Sequence, residues 1–171
     1  KPITYARIEV DRCIETITLS AETMRTMHGE TINTDAMPSG RASHAYWRRE
    51  PVGVVVAITP FNFPGMIPFW YMPYAIACGN PVIVKPSERT PITMQKVFQL
   101  FEQVGFPAGV VNLVNGGKDV VNGLCTHPDV AGVSFVGSSA VARHVSVDLA
   151  AGDGARPGGP RRLLGSALGC A

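Results

Sequence analysis

The sequence predicts an α/β domain, a parallel sheet of the nucleotide-binding type with helices on its faces. Three observations carry that prediction. Short β-branched runs alternate with helical segments from residue 52 onward. Each run ends in polar or glycine-containing residues. Residues 51 to 84 carry no charged side chain, the texture of a buried core. That run is long enough to cross a bilayer, but prolines at 51, 60, 64, 68, 73 and 81 divide it into pieces too short to span as one helix.

The elements follow in order. Residues 6 to 28 place Val10, Cys13, Ile14, Ile17, Ala21 and Met24 at helical spacing, an amphipathic helix ended by Gly29. The stretch "TINTDAMPSGRASHAYWRREPVG" reads as a loop and then an exposed strand around His44 to Arg49. Four buried strands are expected in "GVVVAIT", "NPVIVKPS", "AGVVNLV" and "VAGVSFVG". Between them, "PGMIPFWYMPYAIACG" is apolar nearly all round, as a helix covered on two sides should be, with Gly79 at its end. "TPITMQKVFQLFEQVG" has Thr90 as N-cap, Pro91 at the first helical position, an apolar face of Met94, Val97, Phe98, Phe101 and Val104, and Gly105 as its stop. "KDVVNGLCTH" and "SAVARHVSV" complete the alternation.

Composition narrows the function classes. The 171 residues are 46% hydrophobic and 16% charged, enough for one domain with a real core. A net charge of +2, with Lys and Arg scattered, argues against a nucleic-acid partner. Cys13, Cys78, Cys125 and Cys170 lie far apart with no zinc-type spacing, and are expected as thiols in a reducing compartment. The charged start "KPITYARIEVDR" has no signal-peptide core, so a cytoplasmic location is expected, and it has no initiator Met, so residues before it are expected to be missing. The last 24 residues, 148 to 171, are rich in Gly, Ala, Arg and Pro without a strand-like run, and are expected to be a low-order tail foreign to the fold.

In a parallel sheet, ligands sit beyond the carboxyl ends of the strands. Thr59 to Asn62, Lys85 to Glu88, Asn115 to Lys118 and Gly137 to Ser139 should therefore gather along one edge. In "VKPSE", Lys85 and Glu88 have the chemistry to hydrogen-bond ribose hydroxyls, or are a solvated pair opening a helix. In "FVGSS", a Gly-Ser turn before a helix offers N–H groups to phosphate, or is an ordinary turn. In "TPFNFP", the Asn62 amide has the chemistry to donate to a developing oxyanion, or to make a local Asx turn. His28, His44, His127 and His144 have no paired carboxylate at suggestive spacing, and Trp47, Trp70 and residues 66 to 72 read as core or interface.

Together, "TPFNFP", "KPSE" 23 residues after Asn62, "GVVNLV" and "HPDVAGVSFVGSSAVARHV" resemble the aldehyde dehydrogenase superfamily, over about residues 1 to 145 and including "ARIEVDRCIE", "HGET" and "REPVGVV". "FPGMIPFWYMPYAIACGN" with "KPSERTP" is most similar to the methylmalonate-semialdehyde dehydrogenase branch. The resemblance implies a Rossmann-like NAD-binding domain, incomplete here and spanning residues 51 to 147, preceded over residues 1 to 50 by a helix and an oligomerisation-type strand. It implies an NAD-dependent oxidation in which a cysteine thiolate attacks an aldehyde or semialdehyde and the thioester passes to water or coenzyme A. The complete enzyme is then expected to be a homo-oligomer acting on a small aldehyde, with no membrane or nucleic-acid partner.

By the same resemblance, Asn62 corresponds to the oxyanion-hole asparagine, buried between walls made by its neighbours. Ile58, Thr59, Pro60 and Phe61 correspond to the strand end lining the cofactor cleft. Lys85, Ser87 and Glu88 correspond to the segment at the adenine-side ribose, where a carboxylate favours NAD over NADP. Phe135, Gly137, Ser138 and Val141 correspond to the turn that meets the pyrophosphate and the adenine. Ala142 stands where the family usually has a second glycine. The family's catalytic glutamate strand and its Gly-Gln-x-Cys nucleophile segment do not follow, and Cys170 does not match the latter, so this polypeptide by itself is expected to be inactive. The alternative is a non-catalytic nucleotide-binding or oligomerisation remnant that associates through an unpaired strand near Tyr46.

Overall fold

The computed structural model describes residues 1–151 and 162–163, and, of residues 150, 151, 162 and 163, the backbone alone. The chain forms α1 (Ile3–Met24), β1 (Glu30–Ile32), a 3-10 turn at Pro38–Gly40, β2 (Ala45–Trp47), β3 (Val54–Ile58), α2 (Met66–Ala77), β4 (Val82–Lys85), α3 (Pro91–Gln103), β5 (Val111–Leu113), α4 (Lys118–Thr126), β6 (Val130–Phe135), α5 (Ser139–Ala151) and β7 (Arg162–Leu163).

Strands β5-β4-β3-β6-β7 form one sheet in that order, with every neighbouring pair parallel. The chain builds outward from β3 to β5 on one side, then returns to place β6 against the other side of β3. The carboxyl ends of β3 and β6 therefore flank the point where strand order reverses, which is where such sheets open a ligand crevice. Register brings three residues level there: Ile58 is the partner of Lys85 on β4 and of Phe135 on β6.

Both faces of the sheet are buried. Val56, Ile58, Val133 and Phe135 point to a core shared with Val121 and Cys125 of α4 and Val145 and Leu149 of α5. Ala57, Val82 and Val84 point the other way, to Met66, Phe69 and Met72 of α2, Met94 of α3 and Cys13 of α1. Alternation along each strand thus feeds two cores, which is why these runs read as continuously apolar.

Helix α2 is covered as expected, and the chain leaves it through Gly79, whose φ of +80° is a conformation that favours glycine. Asn80 then locks the exit to the start of β3. Its Oδ1 accepts from Val52 and Gly53 N–H at 2.7 and 3.1 Å, and its Nδ2 donates to the Ala75 and Cys78 carbonyls.

Several expectations are corrected. Helix α1 packs on α2, but with Glu9, Cys13 and Ser20 buried, while Val10, Ile14 and Ile17 are 58%, 59% and 43% exposed. Ile17, Ser20 and Ala21 of α1 line a hollow with Phe69, Met72 and Pro73 of α2, where the small Ser20 and Ala21 let the two helices approach. Val10, Ile14 and Ile17 of the apolar stripe read from periodicity therefore face outward, while Cys13 of the same stripe faces the core. Val104 is exposed because it lies past the last turn of α3. Thr90 stands at the N-cap of α3, yet its side chain makes no capping hydrogen bond. The strand near Tyr46 is paired, not single: β2 runs antiparallel to β1, with Thr31 opposite Tyr46.

Helix α5 runs to Ala151, past the expected boundary at 147, and β7 adds a short strand to β6 with Gly132 opposite Arg162. A two-residue pairing uses only backbone groups, so composition gave no sign of it. The rest of the expected tail, including Cys170, lies outside the described residues. Among the described residues no helix is long and apolar enough to cross a membrane.

Candidate nucleotide cleft and the adjoining asparagine loop

A cleft of about 480 Å³ opens over the carboxyl ends of β3, β4 and β6. Ile58, Thr59 and Pro60 line it from β3, Lys85, Ser87 and Glu88 from β4, and Phe135, Gly137, Ser138 and Val141 from β6 and α5. Gly117, Lys118 and Val121 at the start of α4 close the remaining side. The amino ends of α4 and α5 both open onto this space, and the positive ends of their dipoles suit an anionic ligand.

Lys85 is 4% exposed, yet its Nζ reaches Glu88 Oε2 at 3.4 Å. The helix that follows starts three residues after the exposed Glu88, and the loop is held by Thr90 N–H donating to the Ser87 carbonyl at 3.0 Å and Arg89 N–H donating to Ser87 Oγ at 3.3 Å. The Glu88 carboxyl is held below the usual carboxylate range, first by backbone hydrogen bonding, which outweighs the opposing desolvation, and then by the positive charges of Lys85 and Arg89. An anchored ammonium beside an outward carboxylate offers one donor and one acceptor to a diol.

Thr59 is 3% exposed and its Oγ1 has no hydrogen-bond partner among the described residues. Its N–H donates to the Lys85 carbonyl at 3.1 Å, so its place at the strand end is fixed. A buried hydroxyl without a partner costs free energy, and this one belongs to a cleft-lining residue, so a polar ligand there relieves it. Gly137 completes the fit. A β-carbon on it would meet the ring of Phe135 at 2.5 Å, so only glycine leaves the turn as bare backbone. The orphan hydroxyl, the bare turn and the Lys85–Glu88 pair all fit a nucleotide diphosphate with a ribose diol.

Phe61 and Asn62 are not in this cleft. They line a neighbouring open depression of about 580 Å³ with Lys1, Tyr5, Phe63, Pro64 and Thr90. Arg89 stacks its guanidinium over the Phe61 ring at 4.7 Å, joining the β4–α3 loop to this segment. Asn62 is half-buried between two exposed phenylalanines, so the expected dry walls are not formed by Phe61 and Phe63. Its Oδ1 accepts from the Phe63 N–H at 3.2 Å, a local bond that orients the amide.

The sequence reading missed Glu9, the residue that anchors this loop. Glu9 is buried in α1, and its Oε1 accepts from the N–H groups of Gly65 at 2.7 Å and Met66 at 2.9 Å. Helix α2 has no capping side chain of its own, and a carboxylate supplied from another helix takes that role. Lys1 pairs with Glu9, donates to the Asn62 carbonyl at 3.4 Å and lies 4.4 Å from the centre of the Phe63 ring. Glu9 is one of several charged residues of α1, so nothing in the sequence set it apart from its solvent-facing neighbours. His144 was also misread: its Nε2 is 3.5 Å from Asp148 Oδ2, four residues on, and it lines the nucleotide cleft.

The pattern of the aldehyde dehydrogenase family matches residues 1–156. Malonate-semialdehyde dehydrogenase 1 of Bacillus licheniformis is 52% identical over 145 residues, covering 85% of this chain and 29% of that protein. Malonate-semialdehyde dehydrogenase 2 of Shouchella clausii is 51% identical over 147 residues, with the same coverage. Among solved structures, a methylmalonate-semialdehyde dehydrogenase of Sinorhizobium meliloti 1021 in complex with NAD superposes with a TM-score of 0.81 at 41% identity, covering 91% of this chain and 31% of that one. The methylmalonate-semialdehyde dehydrogenase of Oceanimonas doudoroffii gives 0.81 at 37% identity, covering 95% and 31%. The chain thus spans about three-tenths of the length of these relatives.

Proposed function

Because the chain belongs to the aldehyde dehydrogenase family, we propose that it is the first part of the NAD-binding domain of an enzyme that oxidises a semialdehyde of the malonate or methylmalonate type. The observation that carries this reading is the convergence of Thr59, the Lys85–Glu88 pair and the Gly137 turn on one cleft at the point of strand-order reversal. The names of the relatives and the NAD held by one of them support the substrate class and the cofactor.

In this reading Lys85 and Glu88 hold the adenine-side ribose, with the carboxylate repelling a 2′-phosphate. The Gly137–Ser138 turn and the amino end of α5 receive the pyrophosphate, and Val121 and Val141 provide apolar walls for the adenine. When bound, the nicotinamide supplies the hydride acceptor for aldehyde oxidation. Asn62 contributes a positioned amide donor for the aldehyde oxygen, where negative charge develops as a nucleophile adds. Glu9 holds the loop that presents this amide. The 171 residues contain no Gly-Gln-x-Cys segment, so the nucleophile is not among this chain's residues, and release to coenzyme A belongs to the complete enzyme.

Calorimetric titration of the chain with NAD and with NADP tests the proposal. Saturable binding at one site, tighter for NAD, is expected. Self-association without any nucleotide binding would instead favour the oligomerisation remnant, for which the exposed Tyr46 on the β1–β2 hairpin and the outward Val10, Ile14 and Ile17 of α1 are the relevant features.

A further inference from the structure

The carboxyl ends of α1 and α2 bring three sulfur atoms together away from the nucleotide cleft. Cys78 caps α2, and its Sγ lies 4.0 Å from Met24 Sδ and 3.9 Å from Met27 Sδ. Met24 closes α1. Met27 follows in a continuing turn, its N–H donating to the Met24 carbonyl at 3.4 Å, so the two thioethers share one side of the chain. All three residues are half-buried, and they line an open depression of about 510 Å³ together with His28. Of the charged residues lining it, Arg48 and Glu50 pair with each other, and Arg49 stacks over Trp47 at 5.5 Å.

We propose that Met24, Met27 and Cys78 form a binding site for a soft monovalent cation, copper(I). One thiolate and two thioethers are a donor set that selects copper(I) over hard or borderline cations. Among the described residues no group of three or more His, Cys, Asp or Glu could hold a metal, so a borderline cation such as zinc has no competing site there. The geometry agrees with the chemistry. A metal bonded at about 2.3 Å to Cys78 Sγ and to either thioether, 3.9 to 4.0 Å away, subtends an angle of about 120° for each of those two pairs, as trigonal coordination needs.

Binding replaces the Cys78 thiol proton, which passes to solvent, with the cation. Two thioether lone pairs complete the bonding, and no electron is transferred. The open side of the depression is the entry path, and occupancy fastens the end of α1 to the end of α2.

The test is titration of the full chain with copper(I), kept reduced with ascorbate, in competition with a chromophoric copper(I) chelator. The wild-type chain is expected to take up one equivalent. The double variant Met24→Leu, Met27→Leu keeps all four cysteines and nearly the same side-chain volume, and is expected to bind roughly tenfold or more weakly, with circular dichroism reporting its fold. Undiminished binding by that variant places copper on thiols elsewhere and overturns the proposal, as does failure of the wild type to take up an equivalent. X-ray absorption at the copper edge of the wild-type complex is independent of any variant: three sulfur neighbours at about 2.3 Å support the site, and fewer than three overturn it.

Discussion

The ring of Phe135 occupies the space a β-carbon on Gly137 would need, with its Cζ 2.5 Å from that position. Phe135 is packed between the sheet and helices α4 and α5, so its ring has little freedom to swing aside. The turn between β6 and α5 is therefore shaped from below by an aromatic ring and from above by the ligand it is proposed to meet.

Gly137→Ala should destabilise the chain by about 1–3 kcal/mol through overpacking. The backbone there is not left-handed, so the cost is steric. Urea denaturation reads the loss, and a parallel calorimetric titration should show weaker NAD binding. Unchanged values of both would mean that the ring yields and the turn is not constrained.

Lys85→Met should weaken NAD binding roughly tenfold by removing a charged donor to the ribose. Glu88→Gln should narrow the preference for NAD over NADP by a similar factor, since the carboxylate no longer repels a second negative charge. Because the folded-state pKa of Glu88 is lowered, its charge is present throughout the neutral range and is lost only as pH falls through that lowered value. Glu88's part in the NAD preference should therefore persist through neutral pH and decline only in acid, below the ordinary carboxylate value. A decline near neutrality would point to another group.

Glu9→Ala should cost about 2 kcal/mol, because it strips the Gly65 and Met66 N–H groups of their acceptor. Glu9→Gln keeps a side-chain oxygen at the same place and should recover much of that. Chemical denaturation of the two variants separates loss of an acceptor from loss of charge. Equal destabilisation by both would assign the whole effect to the charge.

Cys13 has its thiol pushed up from 9.0 to about 11, first by burial and then by the nearby Glu9 carboxylate. Its burial as a neutral thiol stabilises the fold fully below pH 9.0. Between there and about pH 11 the unfolded thiol ionises while the folded one does not, so this contribution is lost as pH rises. Stability measured across that window should fall less steeply in Cys13→Ala than in the wild type.

Purified chain mixed with NAD and malonate semialdehyde should produce no NADH above background, whatever its affinity for the nucleotide. Aldehyde-dependent NADH would show that one of its own thiols serves as nucleophile.

How much of this was legible depended on whether the signal lay within one segment. The β-branched runs around Val56, Val84 and Val133 identified their strands because burial on both faces leaves a local mark. The edge formed by Thr59, Lys85 and Gly137 followed from the rule for parallel sheets. The outward turn of Ile14 and Ile17 was not legible, because periodicity marks an apolar face without saying what covers it. The Glu9 carboxylate and the Gly65 amide lie 56 residues apart, so their bond is a tertiary fact. The Asn80 clasp on Val52 and Gly53 escaped for the same reason.

The placement of β6 beside β3 has a consequence for synthesis. Val54 waits for Val130, a partner that leaves the ribosome 76 residues later, and at about 5–20 residues per second that is a delay of roughly 4–15 s. During it the nascent sheet exposes the β3 edge, an apolar ladder of unpaired amides that other nascent chains or chaperones can engage. The same reversal in strand order that opens the cleft thus leaves one edge of β3 open while the chain is being made.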